Sequence, residues 1–217
     1  MVWLIIIGIA VFIAALVYLS LYIEKKRTEA MRQAALRLGF NFFPKGDPTF
    51  LSEMAAFHLF QQGHTRLLKN LMRGESSDAD VAMFDYRFTV GSGKNQHTKN
   101  QTVICFRLSD LNLPVFSLSP ENIMHKIGSM FGYQDIDFEH HPEFSKRYLL
   151  RGPDETRIRT LFKDSVLRFF EQKQPLCVEG AENRLIFYRS SKQVKPEALN
   201  SFVEEGTAVL GVLRSGR

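Results

Sequence analysis

The chain opens on a run without a charge. Residues 2–23, VWLIIIGIAVFIAALVYLSLYI, include fourteen Val, Leu, Ile or Phe side chains. As a helix, such a run rises about 33 Å, close to the hydrocarbon thickness of a bilayer. Trp3 lies near one end and Tyr18 and Tyr22 near the other, where interfacial aromatics sit. A retained transmembrane anchor is expected rather than a cleaved signal peptide, because no Lys or Arg precedes the run and its apolar core is too long. From residue 24 the pattern becomes helical and amphipathic. Ala30, Met31, Ala34, Ala35 and Leu38 form one stripe, so the helix is predicted to continue over 24–38 and to end at Gly39.

Beyond Gly39 the periods alternate between helix and strand. NFFP (41–44) reads as a short strand. Asp47 and Pro48 supply a cap and a first helical position, and Phe50, Leu51, Met54, Phe57 and His58 form the stripe of a helix closed by Gly63. His58 on that apolar face is read as a satisfied core histidine. VAMFDYRFTV (81–90) and QTVICFRL (101–108) alternate with period two and are joined by the polar loop GSGKNQHTKN, a predicted hairpin. The loop's Gly-Ser-Gly-Lys is no phosphate loop: Phe88 stands where the motif needs glycine, and a strand follows. Helices are predicted over 119–132, capped by Ser119, over 153–171, and from Pro196 onward. FSKRYLLRG (144–152) reads as a strand, and LCVEG (176–180) with RLIFYRS (184–190) as a second hairpin. Hairpins joined by amphipathic helices predict an α+β fold with a largely antiparallel sheet and helices on one face. The expected organisation is an anchor at 1–23, a basic juxtamembrane helix at 24–38, and a single α+β domain over 39–217.

Charge changes the picture in one respect. Residues 24–37 carry a net charge of +3, of a total of +5, so residues 38–217 carry only +2. The basic character therefore belongs mainly to the membrane flank, with Lys25, Lys26, Arg27 and Arg32 facing anionic lipid headgroups, and nucleic acid is not the expected partner. All four lie on the C-terminal side of the span. The positive-inside rule then puts the N-terminus outside and the domain in the cytoplasm, at the cell's inner (plasma) membrane. Two cysteines, Cys105 and Cys177, form no Cys-x-x-Cys and sit in strand-like runs, as free buried thiols do. A disulfide between them would require an oxidising compartment.

The segments LPVFSLSPE (113–121), DIDF (135–138) and PEFS (142–145), with Tyr148, Leu150 and Gly152, carry a resemblance. In them the chain resembles an uncharacterised family of single-pass bacterial membrane proteins, over about residues 80–170. The resemblance implies a bacterial inner-membrane protein with a cytoplasmic α+β domain, and it implies no catalytic residues.

One stretch concentrates reactive side chains: QDIDFEHHPEF (134–144). If DIDFE is extended, Asp135, Asp137 and Glu139 share a face, and with His140 they have the donor types that hold a hard divalent ion. The same alternation describes any half-buried strand. Adjacent histidines point to opposite faces, Pro142 suits a turn, and Lys146, Arg147 and Arg151 are near enough to neutralise the acids. The stretch is therefore expected to be structural, with Ile136, Phe138 and Phe144 toward the core. No Gly-x-Ser-x-Gly, His-Glu-x-x-His or Gly-x-Gly-x-x-Gly motif occurs. The expected function is a membrane-tethered binding or scaffold domain with a protein partner and no cofactor. The alternative is a metal-dependent hydrolase centred on Asp135, Asp137 and His140, joined by His97 or His125.

Overall fold

The computed structural model describes residues 2–76, 78–121 and 133–216. The uncharged run and the amphipathic stripe form one uninterrupted helix, α1 (Val2–Leu38). Its first 22 residues are exposed throughout, whereas Met31, Ala34 and Ala35 are buried against the sheet. The change from a uniformly apolar surface to a striped one is thus also the change from a free rod to a packed one.

Among the described residues, eight strands form one antiparallel sheet in the order β1-β2-β3-β4-β8-β7-β5-β6. Strands β1 (Asn41–Phe43), β2 (His64–Ser76), β3 (Ala79–Val90) and β4 (His97–Arg107) make a meander. Strands β5 (Leu113–Pro120) and β6 (Tyr148–Arg151) form the far edge. The hairpin of β7 (Cys177–Glu182) and β8 (Arg184–Tyr188) joins the two halves.

The helices expected on one face are α1 and four C-terminal ones: α4 (Pro142–Arg147), α5 (Glu155–Leu161), α6 (Asp164–Gln172) and α7 (Leu199–Ser215). They bury Phe144, Ile158, Phe170, Phe202 and Leu213 against Met83, Ile104, Phe106 and Phe187. Gly206 lets α7 approach closely, since a Cβ there would lie 2.9 Å from the Phe106 ring. Two short helices, α2 (Pro48–Glu53) and α3 (His58–Gln61), cover part of the other face. There Phe50, Phe57 and Phe60 pack over Phe84, Tyr86 and Phe88, with the Phe60 and Tyr86 rings 4.7 Å apart. Cys105 and Cys177 are free, buried thiols on this second face.

Several predicted elements are divided in the structure. The helix over 48–62 splits into α2 and α3 because Phe57 takes an extended conformation and drops its ring into the second core. Asp47 caps α2 as expected, accepting from the Thr49 amide at 2.9 Å. The helix over 153–171 breaks at Lys163, where Phe162 turns its ring edge-on to Phe116 at 5.2 Å. The strand over 144–152 begins only at Tyr148. Pro142 starts a helical turn that stacks Phe144 on Tyr148, one turn apart, at 5.4 Å. Ser119 and Pro120 end β5 rather than open a helix, and the rest of that predicted helix, 122–132, lies outside the described residues.

Candidate functional site

The stretch with the reactive side chains is not a strand. Residues 133–138 are irregular, and Asp135 and Ile136 pair with β6: Asp135 Oδ1 accepts from the Leu150 amide and the Ile136 amide donates to the Leu150 carbonyl, both at 2.8 Å. Burial raises the Asp135 pKa above the usual carboxylate range. Asp137 and His140 are exposed, whereas Asp135 is half-buried and engaged with β6. His141 is the buried histidine, with Nδ1 3.1 Å from Glu171 Oε1 and Nε2 3.4 Å from Asp164 Oδ1. Lys146 pairs with Glu143, and Arg147 donates to the carbonyls of Glu171 and Lys173. His97 lies on β4, and His125 is outside the described residues. Among the described residues no group of three or more His, Cys, Asp or Glu is placed to hold a metal ion. Ile136 and Phe144 are buried as expected, and Phe138 is half-buried, edge-on to Phe144 at 5.7 Å.

Two other sites carry the concentrated polar chemistry. The first is the joint between α1 and the sheet. Asp85, in the middle of β3, is 6% exposed. Its carboxylate accepts from Arg27 Nε at 2.8 Å and Nη2 at 2.7 Å, from Asn70 Nδ2 at 2.9 Å and from Thr102 Oγ1 at 2.9 Å. The Arg27 guanidinium also donates to the Val194 carbonyl at 3.1 Å, and Thr102 Oγ1 accepts from the Val194 amide at 2.9 Å. Four donors from one helix and two strands thus meet on one buried carboxylate, with Arg27 in the fork geometry for which arginine is suited. One turn earlier on α1, Glu24 pairs with Lys69. Between these pairs lies a cavity of about 340 Å³, lined by Ser20, Ile23 and Arg27 from α1 and by Leu67, Arg87 and Asn100 from the sheet.

The four basic residues expected at the membrane surface divide here. Lys25 and Lys26 are exposed. Arg32 stacks its guanidinium on Phe42 at 4.9 Å and lies 3.3 Å from Glu29. Arg27 turns into the domain, where Asp85 already neutralises it.

The second site is on the other face. Glu179 is 1% exposed and accepts from the Tyr188 hydroxyl at 2.8 Å and the Leu59 amide at 3.2 Å. Burial pushes its pKa up to about 7 despite these donors. A cavity of about 200 Å³ adjoins it, with Phe57, His58, Val115, Tyr133, Arg151 and Pro153 among its walls. His58 bonds Gln62 at 2.8 Å, and its pKa falls to about 4 through burial and the charge of Arg151. It is the satisfied, neutral histidine its place on an apolar stripe predicts. The sequence reading passed over both Asp85 and Glu179. The available signal was the same in each case: a lone acid inside a run whose neighbours are all apolar or small, FDY and VEG.

No family model and no curated protein matches the chain. Among solved structures, the crystal structure of the mycobacterial trehalose monomycolate transport factor A, TtfA, is similar in fold. Its TM-score is 0.62 at 11% sequence identity, over 87% of this chain and 93% of that one.

Proposed function

We propose that this chain is a single-pass protein of the bacterial inner membrane, with its N-terminus outside and residues 24–217 forming a cytoplasmic binding or scaffold domain. The observation that carries the reading is α1. Its first 22 residues bury nothing, are long and apolar enough to cross a bilayer, and continue without a break into a segment locked to the sheet by Arg27 and Asp85. A free apolar rod on a folded domain is stable only where something apolar surrounds it. The likeness in fold to a mycobacterial transport factor for a lipid, trehalose monomycolate, supports work at a membrane surface and a role in lipid handling. Lys25 and Lys26 are available to anionic headgroups, and an unidentified protein is the partner expected of such a tethered module.

A reporter active only in the periplasm, fused after Arg217, tests the topology. The expected result is no periplasmic activity, with the protein retained in the membrane through alkaline extraction. Strong periplasmic activity overturns the orientation, and release by alkali overturns the anchor.

A further inference from the structure

Segments 64–69 and 86–101 contain Arg66, Lys69, Arg87, Lys94 and Lys99 and no acidic residue. The meander places them side by side, with His64 opposite Thr89 and Val90 opposite His97. This end of the sheet is also the end at which α1 leaves the domain. At the far end of β2, Gly74 abuts Phe40, just past the end of α1. Midway, Lys69 meets Glu24, and further on Leu67 and Arg87 share a cavity with Ser20 and Ile23. Strand β2 and the helix therefore run alongside each other, and Val90 lies five residues beyond Asp85, about 17 Å along the strand.

The two ends of the sheet differ in how their charges are met. At the end away from the anchor, Arg107 pairs with Asp80, Arg184 with Glu53, and Arg214 with Asp110. At the anchor end, Arg87, Lys94, Lys25 and Lys26 are exposed, and among the described residues none of them meets a carboxylate. Among the described residues Arg66 donates only to the carbonyls of Gln61, Gln62 and Gly63. Leu67, 39% exposed, is an apolar side chain among these cations.

We propose that the β3–β4 hairpin, together with Lys25 and Lys26, docks on the anionic headgroups of the bilayer that α1 crosses and holds the sheet end-on to the membrane. The inference rests on the single-pass reading above. A bilayer is the favoured occupant over an acidic protein because the helix itself delivers this end of the sheet to the membrane surface, at high effective concentration. The leaflet's negative potential attracts basic residues within about a Debye length.

The test uses the full chain in nanodiscs of phosphatidylcholine alone or of an equal mixture with phosphatidylglycerol. A single cysteine is placed at Ser92, on the hairpin, and carries an environment-sensitive fluorophore; the two native cysteines are buried. Headgroup spin-labelled lipid is the quencher. Ser109→Cys, at the opposite end of the sheet, and Ala10→Cys, in the span and read with an acyl-chain quencher, are the controls. Quenching at Ser92 is expected in the mixture and not at Ser109. Each basic residue near an anionic surface is worth about a fivefold change in contact, so R87E/K94E lowers it more than tenfold and the neutral R87Q/K94Q lowers it less. Quenching at Ala10 without quenching at Ser92 overturns the docking and leaves the tether standing. Loss of quenching at Ala10 overturns the tether and the docking with it. Quenching at Ser92 that is equal in both lipids, or that survives R87E/K94E, overturns the anionic headgroup as the ligand.

Discussion

Arg27→Ala perturbs the buried ion pair that ties α1 to the middle of the sheet. The substitution removes both guanidinium bonds to Asp85 and both to the Val194 carbonyl. Asp85 is then left almost fully buried, with only Asn70 and Thr102 as donors. Breaking a buried pair by deleting one partner costs about 3–5 kcal/mol, because the remaining charge stays desolvated. Against a typical stability of about 5–15 kcal/mol this is a large fraction. For a domain of this size it corresponds to a fall in Tm of roughly 6–20 °C. The assay is thermal unfolding of the full chain in nanodiscs, followed by near-ultraviolet circular dichroism and read as the difference between variant and unaltered chain, to which Trp3, Tyr18 and Tyr22 of the apolar run are common. Asp85→Asn removes the charge and keeps the shape, so R27A/D85N is expected to lose less than the sum of the two single variants, with a coupling of order 2 kcal/mol. A melt of Arg27→Ala within a degree or two of the unaltered chain, or strict additivity in the cycle, would refute the reasoning.

Two further outcomes follow from the cores. Glu179 keeps its proton in the folded state to a pH of about 7, against a usual 4.5, so the unfolded chain binds fewer protons between those values and stability falls as pH rises through that window. The shift is worth about 3 kcal/mol; Glu179→Gln should therefore gain on the unaltered chain between pH 4.5 and 7 and stay level above, and parallel denaturation curves across that range would contradict it. Phe144→Ala empties the centre of a ring cluster formed with Tyr148, Phe162 and Phe170. It should cost about 3–5 kcal/mol by urea unfolding, and a loss below 1 kcal/mol would mean that the cluster is not packed as described.

The parts of the fold legible in the sequence were those with uninterrupted periods. The long apolar helix, the α1 stripe, the β3–β4 and β7–β8 hairpins and α7 each repeat one spacing long enough to be read. Strand β2 was not legible because its period breaks twice: the pairing with β3 shifts register between His64 and Leu67 and again between Lys69 and Met72, and Thr65 and Asn70 take positive φ. Bulges of this kind put apolar residues at adjacent positions, and two pairs, Leu67-Leu68 and Leu71-Met72, hide the alternation. Strand β5 was obscured in a different way, since Ser119 and Pro120 carry the cap and first-turn signals of a helix although both lie in a paired strand. For the site, sequence proximity misled. Asp135, Asp137 and His140 are neighbours in the chain but form no metal-holding group, whereas Arg27 and Asp85 are 58 positions apart and share two hydrogen bonds.

The joint at Arg27 also bears on where the proposed domain begins. A boundary at residue 39 would separate the sheet from Met31, Ala34 and Ala35, which are at most 2% exposed and belong to the same core as Met83 and Phe106. The charge switch at Glu24 is the better boundary, because the pairs Glu24–Lys69 and Arg27–Asp85 mark where α1 first engages the sheet. With no glycine or proline between residues 9 and 38, α1 lacks the two residue types that most often kink a helix where it leaves the domain. On the single-pass reading proposed above, a helix without a hinge, fixed at one end by a buried ion pair and at the other by the bilayer, restricts the ways the sheet can face the membrane. The edge β5–β6 and the cavity beside Glu179 lie in the other half of the sheet from the strands that meet α1. With the basic end of the meander docked as proposed above, the Glu179 cavity is among the concave parts of the domain that stay open to a partner.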